Sequence, residues 1–227
     1  MPHFNIEAPS DTSITLKKFG IISTEHSQAD SMDAKTRGEI SAPEDIALLA
    51  SGVRQELVDT LAAMGGEASV GELANELGRP MDGLYYHLEL LRKGGMVKEN
   101  KHPDSGERRF RLAGAKGVPL RMVYKPSVPG VSVALTKFSQ QLLHIAAQDF
   151  AVALALPGVQ VSGPRRQLWI SRNKGWVSNA DLEEVNALLL RLGQLTSQPR
   201  SSERGQLVSL AFSLSPIQPK AKRRQAD

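Results

Sequence analysis

The 227-residue chain contains no cysteine. That excludes disulfides and every metal or redox mechanism built on a thiolate. Arsenite, Hg²⁺ and thiol oxidants therefore find no ligand or nucleophile here. No apolar run reaches the roughly 20 residues that a membrane-spanning helix needs. The first residues, Met1–Ser13, lack a basic n-region followed by an apolar h-region, so no signal peptide is expected. Enzyme signatures are missing as well: there is no P-loop, no G-x-S-x-G and no H-E-x-x-H. His144 and Asp149 lie five apart on one apolar stretch, which is poor spacing for a shared helix face. No catalytic residue, metal site or cofactor is expected, and the absences together fit a cytoplasmic protein that is not an enzyme.

What is present is enough apolar content for a core, 41%, and a net charge of +4. The placement of that charge is uneven. Glu56, Asp59, Glu67, Glu72 and Glu76 precede a stretch that carries Arg79, Arg92, Lys93, Lys98, Lys101, Arg108, Arg109 and Arg111. One side of such a domain would face phosphate.

The stretch from Ser69 to Lys93 organises the chain. Ser69 with Glu72 three residues on is a capping box. Leu73, Ala74 and Leu77 form a one-sided apolar stripe, and Gly78 can enter αL to stop the helix. Pro80 suits the first turn of a second helix, whose Leu84, Leu88 and Leu91 share a face. This is the helix-turn-helix pattern. Gly94-Gly95 ends the second helix. Met96–Lys101 and Arg108–Leu112 read as strands joined by a turn at His102–Glu107, the wing of a winged helix. Ahead of the motif, one helix starting at Ser41 is expected from Ile46, Leu49, Val53, Leu57, Leu61 and Met64.

From Val53 to Leu112 the chain resembles the DNA-binding domain of ArsR-type winged helix-turn-helix regulators. The marks are Arg54–Leu61, Ser69–Leu77, the block Leu84–Leu91, the GGMV of Gly94–Val97 and the Arg-rich second wing strand. The resemblance implies a homodimer that binds a pseudo-palindromic operator in double-stranded DNA and represses its own or neighbouring genes. Winged helices also serve as protein-interaction modules, and that alternative stays open on the sequence.

Candidate DNA contacts follow from position. Tyr85 and Tyr86 point about 100° apart on a helix, so one is expected in the core and the other against DNA. Asp82 can accept from a cytosine amino group or stabilise the helix N-terminus. Arg79 and His87 lie on the same helix or at its start, His87 as a structural or phosphate-contacting residue. Lys101 and His102 sit at the wing tip, and Arg108 and Arg109 on its second strand, all expected near phosphate. Arg108, Arg109 and Arg111 alternate, so two share a face and one points away.

The expected fold is α+β: a flexible arm over 1–41, the winged helix over 42–114, a Gly/Pro-rich connector over 115–130, a second domain over 131–217 and a charged tail over 218–227. Ser13–Ile22 is the one stretch of the arm with a pattern of order, and Leu120–Tyr124 a candidate strand in the connector. Val131–Leu156 is long and apolar and is expected to form the dimer interface through Phe138, Leu142 and Ile145. Gln167–Val177 reads as strand and turn, Ser178 caps a helix, and Leu207–Ile217 alternates with period two as a half-buried strand. Trp169 and Trp176 either line an effector pocket, for a small molecule or a protein, or form the core of this domain.

Overall fold

The computed structural model describes residues 39–114 and 121–218. The candidate segment Ser13–Ile22, most of the arm and nearly all of the charged tail lie outside the described residues.

The elements run β1 (Glu39–Ile40), α1 (Pro43–Leu49), α2 (Gly52–Ala63), β2 (Glu67–Ser69), α3 (Val70–Leu77), α4 (Met81–Lys93), β3 (Val97–Lys101), β4 (Arg108–Leu112), β5 (Arg121–Met122), α5 (Val131–Leu154) and α6 (Asn179–Thr196). A three-stranded antiparallel sheet has the order β2-β4-β3, and β1 pairs in parallel with β5. The architecture is the expected winged helix within an α+β chain, with helices followed by a small wing sheet.

The helix-turn-helix forms for the reasons the sequence states. Ser69 Oγ accepts from Glu72 N, and Glu72 Oε2 accepts from Ser69 N at 2.7 Å, a complete capping box. Gly78 adopts φ +61°, the left-handed conformation a side chain would resist, and its N–H bonds the carbonyl of Ala74. Leu84, Leu88 and Leu91 of α4 are fully buried against Leu57 and Leu61 of α2, Leu73 of α3 and Phe110 of β4. Burying each leucine contributes roughly 1.5–3 kcal/mol, so this one face of α4 fixes its orientation.

Upstream, the chain departs from a single helix. It forms α1 and α2, with a break at Ala50–Ser51, where Ser51 is extended. The cap of α1 is Ala42 and not Ser41, and it has no side-chain bond. The reason is local: Ser51-Gly52 lowers helix propensity at that point, and the break lets α1 turn to pack along α5. Both halves keep their apolar residues inside, with Ile46, Leu49, Leu57 and Leu61 buried. The arm is ordered at its end, since Ile40 is buried in β1 and accepts from Val123 N at 2.8 Å.

The first two turns of α5 belong to the winged-helix core. Val131 and Ala134 are buried, and Leu135 and Phe138 pack against them. At the seam of α2 and α5, the carboxyl of Asp59 is pushed up to about 6, first by desolvation and then by Glu56 and Asp149. Asp59 is exposed at the surface, so solvent screens much of this effect. A raised native carboxyl means that the folded state holds the proton more tightly, so stability falls as pH rises from about 4 through about 6. Asp59→Asn should raise Tm at neutral pH, and calorimetry should show the gain fading as pH falls toward 4. An equal gain at both ends would remove the charge explanation.

After α5 the expected second domain is only partly built. Helix α6 has its capping box, with Asp181 Oδ2 accepting from Ser178 N at 2.8 Å. The expected strands in 167–177 and 207–217 are not hydrogen-bonded strands among the described residues. A strand needs a partner to form its ladder, and one copy of the chain supplies none here. Helix α6 buries no residue.

Candidate nucleic-acid interface

Helix α4 has two sides. Leu84, Leu88 and Leu91 anchor the inner one, and its N-terminal half presents Met81, Asp82, Tyr85 and Tyr86 outward. Both tyrosines are exposed, Tyr85 by 40% and Tyr86 by 66%. The expectation that one of them joins the core is therefore corrected: the leucine stripe already fills the inner face, and neither tyrosine falls on it.

The wing approaches Tyr85. In β4, Arg108, Phe110 and Leu112 share one face, opposite Lys101, Glu99 and Val97 of β3 in register. Phe110, Leu112 and Val97 at the inner end are buried. Arg108 and Lys101 continue this face out to the wing tip. The Arg108 guanidinium lies 5.6 Å from the Tyr85 ring centre and 5.8 Å from that of Phe110. Tyr85, Glu89, Arg108 and Phe110 line a shallow groove between α4 and the wing.

His102 opens the wing turn. Its N–H donates to the Glu107 carbonyl at 2.8 Å, its carbonyl accepts from Gly106 N, and its Nδ1 accepts from Asp104 N. Gly106 takes φ +68° to close the turn.

The other cations differ in how they are held. Arg79 pairs with Glu56 at 2.7 Å, and Arg108 pairs with Glu99 at 2.7 Å, both exposed. Exposed pairs are worth about 0–1 kcal/mol, so a phosphate can displace either carboxylate at little cost. Arg109 is different. It lies on the opposite face of β4 and is bound by Glu72 at 3.0 Å, Glu67 at 3.4 Å and Glu107 at 3.7 Å, with its side chain 20% exposed. The same guanidinium, after the Ser69 amide, helps hold the Glu72 carboxyl below its usual range. The expectation of Arg109 as a phosphate contact is corrected by these three acids, which make it a clamp between wing, β2 and α3. Among the described residues Lys101, Lys98 and Arg111 make no ion pair.

His87 also turns inward. Its ring meets Tyr86 edge-on at 5.3 Å, and its Nδ1 is buried without a partner. Desolvation, then Arg54 and Arg79, hold its pKa below the ordinary value, so the ring is uncharged at neutral pH. Of the two roles expected for it, that suits the structural one and not phosphate contact.

The candidates beyond the wing are not brought together with this surface. Phe138 packs on the core, and Leu142 and Ile145 are half-buried on the same side of α5. Phe138 thus serves the chain's own core, while Val133, Leu143 and Val152 are exposed. Trp169 and Trp176 are exposed by 69% and 93%, so neither forms the core of a domain in the single chain. Arg166 stacks on Trp169 at 3.1 Å from the ring centre. No group of three or more His, Asp or Glu suited to a metal occurs among the described residues. No helix there is long and apolar enough to cross a membrane.

Met81, at the start of the helix but not among the expected contacts, is 49% exposed beside Asp82 on the presented half of α4. Its position before the leucine stripe was the available signal.

Residues 49–100 match a family model described as a helix-turn-helix domain. No curated protein matches the chain. Among solved structures, a MarR family transcription regulator shares 14% identity, with 76% of this chain and 84% of that one covered and a TM-score of 0.28. The YusO protein from Bacillus subtilis shares 9% identity, with 76% and 99% covered and a TM-score of 0.25. Superpositions this loose carry no argument about what the chain does.

Proposed function

We propose that this protein is a sequence-specific, DNA-binding transcriptional regulator of the ArsR type, a cytoplasmic repressor that acts as a homodimer without catalysis. The observation that carries the reading is the outward half of α4, where Met81, Asp82, Tyr85 and Tyr86 are exposed above a buried leucine stripe. A helix anchored on one face and polar-aromatic at its N-terminal end on the other is what enters a major groove. Lys101 and Arg108 flank it at the height of the backbone. Arg79 at the start of α4 and His102 at the wing tip extend the same phosphate-facing edge. Two-fold symmetry then places two half-sites about 34–36 Å apart, one helical turn.

The pairing of Arg79, Arg92, Arg108 and Arg109 with glutamates favours a second reading, a protein-interaction module. Salt dependence separates the two. Binding to DNA should weaken linearly in log K against log salt, and Lys101→Ala should shrink the slope by about one unit, the loss of one phosphate contact. Arg109→Ala should leave the slope unchanged and lower Tm instead, because its acids are the protein's own. A slope that shrinks with Arg109→Ala and not with Lys101→Ala would reverse the two faces of the wing.

A further inference from the structure

Most of the large apolar side chains left exposed lie between residues 131 and 217. They fall on the outer side of α5 (Val133, Leu143, Val152), on α6 (Leu188, Leu192) and along 207–214. A single soluble chain rarely exposes contiguous apolar patches beyond a few hundred Å². Side chains this large and this exposed are the material of an interface, which takes ~800 Å² per partner when stable.

The backbone makes the same point independently. Residues 207–214 alternate Val208, Leu210, Phe212 and Leu214 with small or polar neighbours, the period of a strand, yet none of their amides or carbonyls makes a backbone hydrogen bond among the described residues. An unpaired strand with one apolar face is a template for another strand.

Charge selects the occupant. The segment 206–217 carries no charged residue, so two copies of it can pair without like-charge contacts. Helix α6 carries Asp181, Glu183 and Glu184 in its first half and Arg191 in its second. Glu184 and Arg191 are seven residues apart and so share a side with Leu188 between them. In an antiparallel pairing centred between Ala187 and Leu188, Glu184 of each copy meets Arg191 of the other. The helix is complementary to itself about a two-fold axis.

We infer that residues 131–217 complete their fold only against a second copy of this chain, with 207–214 forming an intermolecular strand pair and α6 packing antiparallel on its symmetry mate. The inference deepens the homodimeric reading above and rests on it, but not on DNA binding.

Hydrogen–deuterium exchange and sedimentation of the full chain test it. At tens of micromolar the wild type should be a dimer, with the amides of 207–214 slowed about tenfold or more. On dilution into the monomer that protection should disappear, while the core amides of α4 stay protected. Ala211→Pro deletes one ladder N–H and almost no apolar area, so it should weaken the dimer at least tenfold, and Leu210→Val should not. If Ala211→Pro fails to fold, the concentration dependence of the wild-type amides decides alone. A wild type that stays monomeric, protection of 207–214 that does not change with dilution, or an unweakened Ala211→Pro dimer would overturn the inference. Operator binding by the same samples is read separately: a monomer that still selects its site removes this inference alone, and a dimer that selects no site removes the regulatory reading alone.

Discussion

Phe110→Ala should destabilise the protein by about 3–5 kcal/mol, the range for truncating a fully buried phenylalanine. Phe110 is 1% exposed at the centre of β4, the middle strand of the wing sheet, and joins α4 to β2 and β3. A domain of this size has about 5–15 kcal/mol in total, so the variant should melt far earlier and show a lower denaturation midpoint. The loss should also reach the surface. Phe110 underlies Arg108, and Arg108 lies over Tyr85. DNA binding should therefore fall even below the melting temperature, where the fold is still populated. Phe110→Leu keeps most of the volume and should retain both. A small shift in denaturation midpoint for Phe110→Ala would mean that the sheet is not held to α4 through this ring.

Tyr86→Phe should lower affinity for the operator by about 1–3 kcal/mol, which is roughly 5- to 150-fold, and leave affinity for random DNA almost unchanged. The ring is 66% exposed and meets the edge of His87, so Tm should hardly move. That combination is what loss of a base contact produces. Equal losses on both DNAs would place the hydroxyl on the phosphate backbone, and a drop in Tm without a change in specificity would place it in the fold. Tyr85→Phe is a useful companion, because Tyr85 also carries Arg108 and its ring is kept in the variant.

The parts of this fold that were legible in the sequence are those set by neighbours along the chain. The Ser69–Glu72 box, the Gly78 turn and the Leu84, Leu88, Leu91 stripe all depend on spacings of three to seven residues, and each stands as read. The alternation along β4 likewise puts Arg109 and Arg111 on one face and Arg108 on the other. What failed depended on contacts distant in sequence. Arg109 is a clamp because β2 pairs with β4 and brings Glu67 and Glu72 beside it, a register no local pattern states. Phe138 is apolar enough for either an interface or a core, and its place on the core rests on α1 packing along α5. The tyrosine pair was misjudged for a related reason: the apolar face was already full. The strand pattern of 207–214 was visible, but a strand's partner is not encoded in the strand.

Selection from a random-sequence duplex library by the full chain, followed by titration of the enriched site at several salt concentrations, tests the regulatory reading most directly. The account predicts an enriched pseudo-palindrome with half-sites one helical turn apart, bound with a steep salt slope, and lost selectively in Tyr86→Phe. Enrichment of no sequence over competitor, with Tyr86→Phe indistinguishable from wild type, would contradict it and leave the helix-turn-helix as a surface for protein.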